Sequence, residues 1–261
     1  MGNISYRPLL EDMVWSYSRI GCFHDCPYRF FLKYIDQSQE TPLFYSSYGK
    51  FMHKILEQYY KGELKREDMK TKFLFDFKKE VLGDRPPRNT VAKYVSDGVR
   101  YLDAFRPFPC KTVAVEQKLP FEIGGVPFVC VIDYIGEDED GLCVIDHKSR
   151  EMKQRSGRSK PTKTDADLDT MLRQLYLYSA AVKERYGVFP KKLCFNAFRS
   201  GQLITENFSD AAYFDAVEWA KKSVNGIIEE DDFYPRVEFF SCLYLCGFRG
   251  ECCYWQEGDR K

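Results

Sequence analysis

The chain has 261 residues, enough for one large domain or for a domain with an appendage, and its 39 basic side chains balance its 39 acidic ones. This balance excludes a strong overall basic field, so any surface that binds nucleic acid must be local. The sequence contains no apolar run long enough to span a membrane and no signal-peptide pattern. We therefore expect a cytoplasmic protein, in which the ten cysteines indicate metal ligands or buried thiols rather than disulfides.

The first 105 residues are predicted to be mostly helical. Apolar spacing predicts a first helix capped by Ser16 or Ser18, a second over 47–62, and further helices over 63–105 that form an insertion over the candidate site. His53 lies close to the apolar stripe of the second helix. A lone histidine there is more often a packed or solvated residue than a ligand, although imidazole suits a metal site beside carboxylates.

Strands are predicted next. An alternating strand over 112–119 contains Glu116, which is either a third acid of a cleft or a charge on its rim. A strand over 128–133 ends in Asp133, and an acidic turn over 136–141 joins it to a buried strand that ends in Asp146. The hairpin brings the two acids together. Two carboxylates so close repel each other unless a cation lies between them, and Mg²⁺ prefers oxygen ligands of this kind.

Lys148 follows Asp146 by two residues. Because side chains alternate along a strand, the two share one face. An ammonium group there can help to activate a water or neutralise charge that develops on a phosphate. The stretch 148–163 then carries seven basic residues and one acid, and its Gly157 and Pro161 predict a flexible loop. This loop is either a solvated surface or a clamp on a phosphodiester backbone.

A helix over 167–186 places Gln174 and Tyr178 four residues apart on one face. They either contact a nucleotide or the amine of Lys148, or form a hydrogen bond on the helix surface. A strand pair over 192–198 and 203–205 follows, and then a helix over 211–228.

Four cysteines fall within twelve residues near the C-terminus, at Cys242, Cys246, Cys252 and Cys253, and Cys26 precedes a proline far upstream. Four thiolates suit a tetrahedral zinc or an iron–sulfur cluster. Zinc sites usually show two close cysteine pairs, so the grouping of one plus three favours a cluster that ties the chain ends together. Cys253 competes with Cys252 for the last position, and Cys22 is a further candidate.

Taken in order, these motifs resemble those of the PD-(D/E)xK nuclease superfamily, and specifically its RecB-like branch with an iron–sulfur cluster. That branch includes AddB-type nuclease domains and CRISPR adaptation exonucleases. The resemblance covers nearly the whole chain. The matching motifs are Ser16 to Ser18 with Cys26 to Phe30, Gly49 to His53, Asp133, Asp146 to Lys148, Gln174 to Tyr178, and the triplet Cys242, Cys246 and Cys252.

The resemblance implies one restriction-endonuclease-like α/β domain over 1–261, a central mixed sheet flanked by helices, with a cluster-binding segment over 230–261 joined to the N-terminal segment. The implied metal ligands, for Mg²⁺ or Mn²⁺, are His53, Asp133, Asp146 and the backbone carbonyl of His147. The implied catalytic residues are Lys148, Asp133, Asp146, Gln174 and Tyr178. The implied ligands of a [4Fe-4S] cluster are Cys26, Cys242, Cys246 and Cys252.

The function that follows is a metal-dependent DNA nuclease, an exonuclease on single strands or DNA ends, in recombination, repair or phage DNA processing. The sequence has no Walker A motif, so any helicase or recombination protein would be a separate partner chain. A rival hypothesis is a non-catalytic subunit that binds DNA ends or assembles a complex. The intact acid and lysine set argues against it. A third is a zinc-stapled binding protein.

Overall fold

The computed structural model describes residues 5–255. Within that range lie eight α-helices and five β-strands, with π-helical turns at Phe31–Ile35 and Ser241–Leu245. The helices are α1 (Arg7–Glu11), α2 (Tyr17–Asp25), α3 (Pro27–Phe30), α4 (Phe44–Tyr60), α5 (Arg66–Glu80), α6 (Arg88–Ala104), α7 (Lys163–Tyr186) and α8 (Asp210–Ile228). The strands are β1 (Lys111–Ile123), β2 (Val126–Asp138), β3 (Gly141–Lys148), β4 (Lys192–Ala197) and β5 (Gln202–Asn207).

The five strands form one sheet in the order β1-β2-β3-β4-β5. Neighbours are antiparallel except β3 and β4, which are parallel. A parallel pair needs a long crossover connection, and α7 with its preceding loop provides it. This mixed sheet flanked by helices confirms the predicted fold class.

Two apolar cores hold the helices in place. The larger lies between the sheet and the N-terminal helices, α7 and α8. The second joins α4, α5 and α6 through packed aromatic rings, and it meets the sheet at Phe198. The residues predicted as a helical insertion, 63–105, therefore form α5 and α6 and share their core with α4. This arrangement holds α4 in place on the sheet, and α4 carries His53.

β3 lies at the centre of the sheet and is covered on both faces, with every residue from Leu142 to His147 buried. This burial explains its continuous apolar sequence. The prediction that the preceding strand ends at Asp133 was wrong. β2 continues to Asp138, because Tyr134 and Ile135 are apolar enough to be buried and both pair with β3.

α7 begins at Lys163, four residues earlier than predicted. Thr162 and Asp165 form a capping box, in which each side chain accepts a hydrogen bond from the other residue's backbone N–H. Ser16 caps α2 by accepting a hydrogen bond from the backbone N–H of Arg19, which is one of the two caps considered from the sequence. No helix between residues 5 and 255 is both long and apolar enough to cross a membrane.

Candidate active site

The two acids of the predicted site meet where the β2–β3 ladder ends. The register pairs Tyr134 with Ile145, so Asp133 and Asp146 follow as neighbours on the two strands. Both are buried, with 9% and 4% of their surface exposed. Oδ2 of Asp133 accepts a hydrogen bond of 2.6 Å from the backbone N–H of His147, which fixes this carboxylate against β3.

His53 reaches the same point from α4. Its Nδ1 lies 3.2 Å from Oδ1 of Asp133, and its Nε2 lies 3.0 Å from the carbonyl oxygen of His147. Both partners are acceptors, so the ring donates to both only as an imidazolium. Burial opposes this charge, but the hydrogen bond and charge of Asp133 outweigh burial and raise the pKa of His53. A positive group thus lies between two of the predicted metal ligands.

Lys148, Gln174 and Tyr178 form a hydrogen-bonded chain around Asp146. Nζ of Lys148 lies 2.7 Å from Oδ2 of Asp146 and donates to Oε1 of Gln174 at 2.7 Å. Nε2 of Gln174 lies 2.7 Å from Oδ1 of Asp146 and 2.7 Å from the hydroxyl of Tyr178, and it donates to both. Of the alternatives considered for Gln174, the structure therefore places it against the amine and the second acid.

The surroundings of Asp146 fit a cation. Burial raises the pKa of Asp146, and the charge of Lys148 opposes that rise only in part. Oδ2 of Asp146 is buried, and the ammonium of Lys148 lies 2.7 Å from it. A buried carboxylate that already lies against one cation is of the chemical type that a hard divalent ion binds.

Glu116 is the third acid of this cluster. The sequence left open whether it belongs to the cleft or to its rim, and the structure places it in the cleft. It lies on β1 between the pairs Val115–Tyr134 and Gln117–Ile132, and thus beside Asp133. His53, Glu116 and Asp133 each offer one ligand atom, and these three atoms lie within 4.8 Å of one another. In the described part of the chain, no other three His, Cys, Asp or Glu residues come so close. Burial, and then the charge of Asp133, raise the pKa of Glu116 to about 7.

The side chain of His147 borders this cluster, with its ring centroid 5.2 Å from that of His53. Its Nδ1 lies 3.1 Å from Nδ2 of Asn196, and its ring packs near that of Phe108. Burial lowers the pKa of His147 to about 3, so the ring is neutral. Its carbonyl oxygen lies 3.0 Å from Nε2 of His53, and this oxygen is the group that the resemblance implies as a ligand.

Three of the four predicted cluster ligands lie around one cavity. Cys26, Cys242 and Cys246 line a cavity of about 480 Å³, with Arg29 and Arg236 also on its wall. The π-helical turn Ser241–Leu245 carries the first of the C-terminal thiols, and the second follows it directly.

Two further thiols compete for the last ligand position. Cys252 is half-buried, and burial followed by the nearby thiols of Cys253 and Cys26 raises its pKa. Cys253 is exposed and lies 3.5 Å from the hydroxyl of Tyr28. Cys22 is buried in the main core. Proximity to Cys26 therefore favours Cys252.

The spacing of these thiols can be compared with that of a zinc site. Zinc holds sulfur at about 2.3 Å in a tetrahedron, which brings the sulfur atoms to roughly 3.8 Å from one another. Between residues 5 and 255, no three cysteine sulfur atoms lie within 4.8 Å of one another.

The mixed sheet, with two acids and a lysine where β2 and β3 leave their ladder, defines the class of PD-(D/E)xK nucleases. The chain belongs to the PD-(D/E)XK nuclease superfamily, whose family model matches residues 14–253. No curated protein matches the sequence.

Among solved structures, the chain is similar to a "Putative exonuclease" from Eubacterium rectale. The similarity covers 92% of this chain and 90% of that one, with 13% identity and a TM-score of 0.50. At this identity it supports the fold alone. The protein SSO0001 is matched over 79% of this chain and 96% of its own, with 16% identity and a TM-score of 0.31, too low to support an argument.

Proposed function

We propose that this member of the nuclease superfamily is a divalent-metal-dependent deoxyribonuclease, an exonuclease on single strands or DNA ends. The observation that supports this best is the contact of Lys148 with Asp146 and Gln174, beside the cluster of Asp133, His53 and Glu116. Hydrolysis of a phosphodiester needs a Lewis acid, a positioned water and neutralisation of developing charge. This site has groups for each need.

The residues have distinct roles in this proposal. His53, Asp133, Asp146 and the carbonyl of His147 would hold Mg²⁺ or Mn²⁺, which would supply Lewis acidity when bound. Lys148 holds the attacking water or the phosphate oxygen beside Asp146. Gln174 fixes the amine through its Oε1 and the carboxylate through its Nε2, and Tyr178 fixes Gln174. This network pre-organises the site before substrate arrives.

The role that we propose is recombination, repair or phage DNA processing in the cytoplasm, with a helicase or recombination protein as a separate partner. The second candidate is a non-catalytic subunit that binds DNA ends. A subunit without catalytic function has no need of a lysine held between a buried acid and a half-buried amide. The complete network therefore favours the enzyme.

Digestion of end-labelled DNA tests the proposal. Linear and circular substrates, single- and double-stranded, are incubated with Mg²⁺, Mn²⁺ or EDTA. We expect metal-dependent release of nucleotides from linear DNA, abolished by Asp146→Asn, with circles spared. Cleavage of circles would make the enzyme an endonuclease. Binding of DNA ends without cleavage under any metal condition would favour the non-catalytic subunit.

We propose in addition that Cys26, Cys242, Cys246 and Cys252 hold a [4Fe-4S] cluster that ties the C-terminal segment to α2 and α3. Its role is structural. The cavity that Cys26, Cys242 and Cys246 share supports this proposal. Protein purified without oxygen should be brown and contain about four irons per chain. A colourless protein with one zinc per chain would contradict the proposal.

A further inference from the structure

The loop between β3 and α7 presents basic side chains that no acid in the described part of the chain neutralises. Five of these residues are exposed and have no carboxylate within 4.0 Å between residues 5 and 255; they are Arg150, Lys153, Arg158, Lys160 and Lys163. The one acid of the loop, Glu151, is bound by Lys93 and Arg199. Its negative charge is therefore neutralised by residues outside the loop, and the surface of the loop is net positive.

The loop is held in place at several points, which the sequence did not predict. Met152 is buried. Arg155 forms ion pairs with Glu206 on β5 at 3.0 Å and with Asp169 on α7 at 2.7 Å. These contacts attach the first half of the loop to the sheet edge and to the start of α7.

Asp165 closes the second half of the loop. Its carboxylate accepts hydrogen bonds from the backbone N–H and the hydroxyl of Ser156, at 2.7 and 2.6 Å. It accepts two more from the backbone N–H and the hydroxyl of Thr162, at 2.7 and 2.8 Å. Residues 156 and 162 are thus drawn together, and Arg158 and Lys160 lie on the closed turn between them. Fixed cations lose less conformational entropy on binding than mobile ones.

Both ends of this loop connect to the candidate active site. It begins directly after Lys148, and it ends at α7, whose Gln174 bonds Lys148. From residue 163 to residue 174 the helix rises about 16 Å, at 1.5 Å per residue. The free cations therefore lie near enough to contact the same nucleic-acid strand a few nucleotides from the acids.

We propose that the loop over 149–163 binds the phosphodiester backbone of the DNA strand a few nucleotides from the candidate active site. The inference rests on the proposed function, because it takes DNA as the substrate. The sequence left two interpretations of the loop open, a solvated surface and a phosphate clamp. The inference favours the clamp. Asp165 is a positioning residue in this proposal, since it holds the turn that carries Arg158 and Lys160.

Binding of fluorescein-labelled single-stranded DNA in EDTA, followed by anisotropy as salt is raised, tests this inference without cleavage. The variant combines Lys153→Gln, Arg158→Gln and Lys160→Gln. Each phosphate contact on a single strand contributes about 0.7 to the slope of log K against log salt. We expect the triple variant to lower the magnitude of that slope by about 2.

A second triple variant controls for net charge. It combines Lys65→Gln, Lys111→Gln and Lys222→Gln, three exposed lysines on other elements that have no acid partner within 4.0 Å in the described part of the chain. We expect its slope to match that of the wild type. A loop variant whose affinity and slope equal those of this control would overturn the inference.

Two further measurements separate the inference from the proposed function. DNA should protect the wild type from trypsin cleavage after Lys153 and Arg158, and Asp165→Asn should weaken that protection although every cation remains. If the wild type cuts DNA and the loop variant binds as the control does, the inference falls and the nuclease stands. If the wild type neither binds nor cuts DNA, both fall.

Discussion

The acid cluster and the cysteine cavity are both candidate sites for an inorganic group, but their side chains are arranged differently. In the acid cluster each acid already lies against a basic side chain: Asp133 contacts His53, and Asp146 contacts Lys148. In the cysteine cavity the thiols line a space and do not converge. The first site is supported by the charges of the protein itself, whereas the second is not.

The two sites therefore differ in how folding depends on a bound inorganic group. An imidazolium and an ammonium compensate the two buried acids, so this region can fold before any metal binds. In the cavity, burial raises the pKa of Cys246 and Cys252, which keeps them protonated and without a strong partner. Thiols bind a metal only after deprotonation, so there the binding of a cluster is coupled to folding of the segment. We therefore expect activity and stability to depend on different groups.

The largest effect should follow from Lys148→Met, which removes the ammonium and retains most of the side-chain volume. We expect the cleavage rate to fall about 10²–10³-fold, the usual cost of losing a group that stabilises developing charge. DNA affinity in EDTA should change little. Release of nucleotides under saturating substrate measures the rate.

Lys192→Met is the matched control. Lys192 also lies on a strand and bridges two acids, Asp138 and Asp140, but at the opposite end of the β3–β4 pair. It should keep the wild-type rate. Equal loss of rate in both variants would mean that a strand lysine is needed for folding rather than for chemistry. The claim that activity depends on the acid site would then have no support from Lys148.

The next effect should be seen in Cys246→Ser, which we expect to lose the brown colour and most of the iron. The segment that follows α8 should then become sensitive to trypsin, while α7 and the sheet stay folded. Iron content, visible absorption and proteolysis measure the outcome. Cys194→Ser, a buried thiol of β4 outside the cavity, should keep its iron. Wild-type iron content in the Cys246 variant would exclude this thiol as a ligand.

The sequence predicted the fold and most of the acid site because their signals are local. A buried strand that leads into an acid and a lysine specifies Asp146 and Lys148, and helical spacing places Gln174 with Tyr178. The position of Asp133 was also predicted, although β2 continues five residues beyond it. Burial of Tyr134 and Ile135 decides that length, and burial depends on tertiary packing.

Glu116 and the loop show what local signals could not decide. Whether Glu116 faces the site depends on the register of β1 against β2, and that register includes a bulge between Thr112 and Ala114. The basic loop is held in place by Asp165, which accepts four hydrogen bonds from Ser156 and Thr162. These two residues are too far apart in sequence for a spacing rule to predict that Asp165 joins them. A capping-box pattern at Thr162 was the available signal, and it also would have placed the start of α7.

A smaller effect is expected from Gln174→Ala, because Gln174 acts through Lys148 and Asp146. Loss of a group that orients a ligand commonly costs 10- to 100-fold in activity or metal affinity. Tyr178→Phe removes only the hydroxyl that accepts from Gln174, so it should cost less. The double variant should then be no worse than Gln174→Ala alone. Additive losses in steady-state rates would mean that Tyr178 acts independently of Gln174.

The smallest effect is expected from Glu116→Gln. This variant further tests the claim that charged groups of the protein already compensate the buried acids of the site. The pKa of Glu116 is raised to about 7, so below that pH the carboxyl is protonated and cannot bind a cation. Metal affinity of the wild type should therefore rise as the pH increases through about 7. Calorimetry with Mn²⁺ below and above this pKa measures the change.

The variant should bind Mn²⁺ about tenfold more weakly above that pH, and its affinity should depend less on pH. Some dependence should remain, because His53 must release a proton before its nitrogen can bind the ion. Glu122→Gln is the control: it is an exposed acid on the same strand as Glu116, six residues further along. If Glu116→Gln and Glu122→Gln gave the same affinities and pH profiles, Glu116 would be a rim charge after all. The metal would then be bound only by the four groups that the resemblance implies.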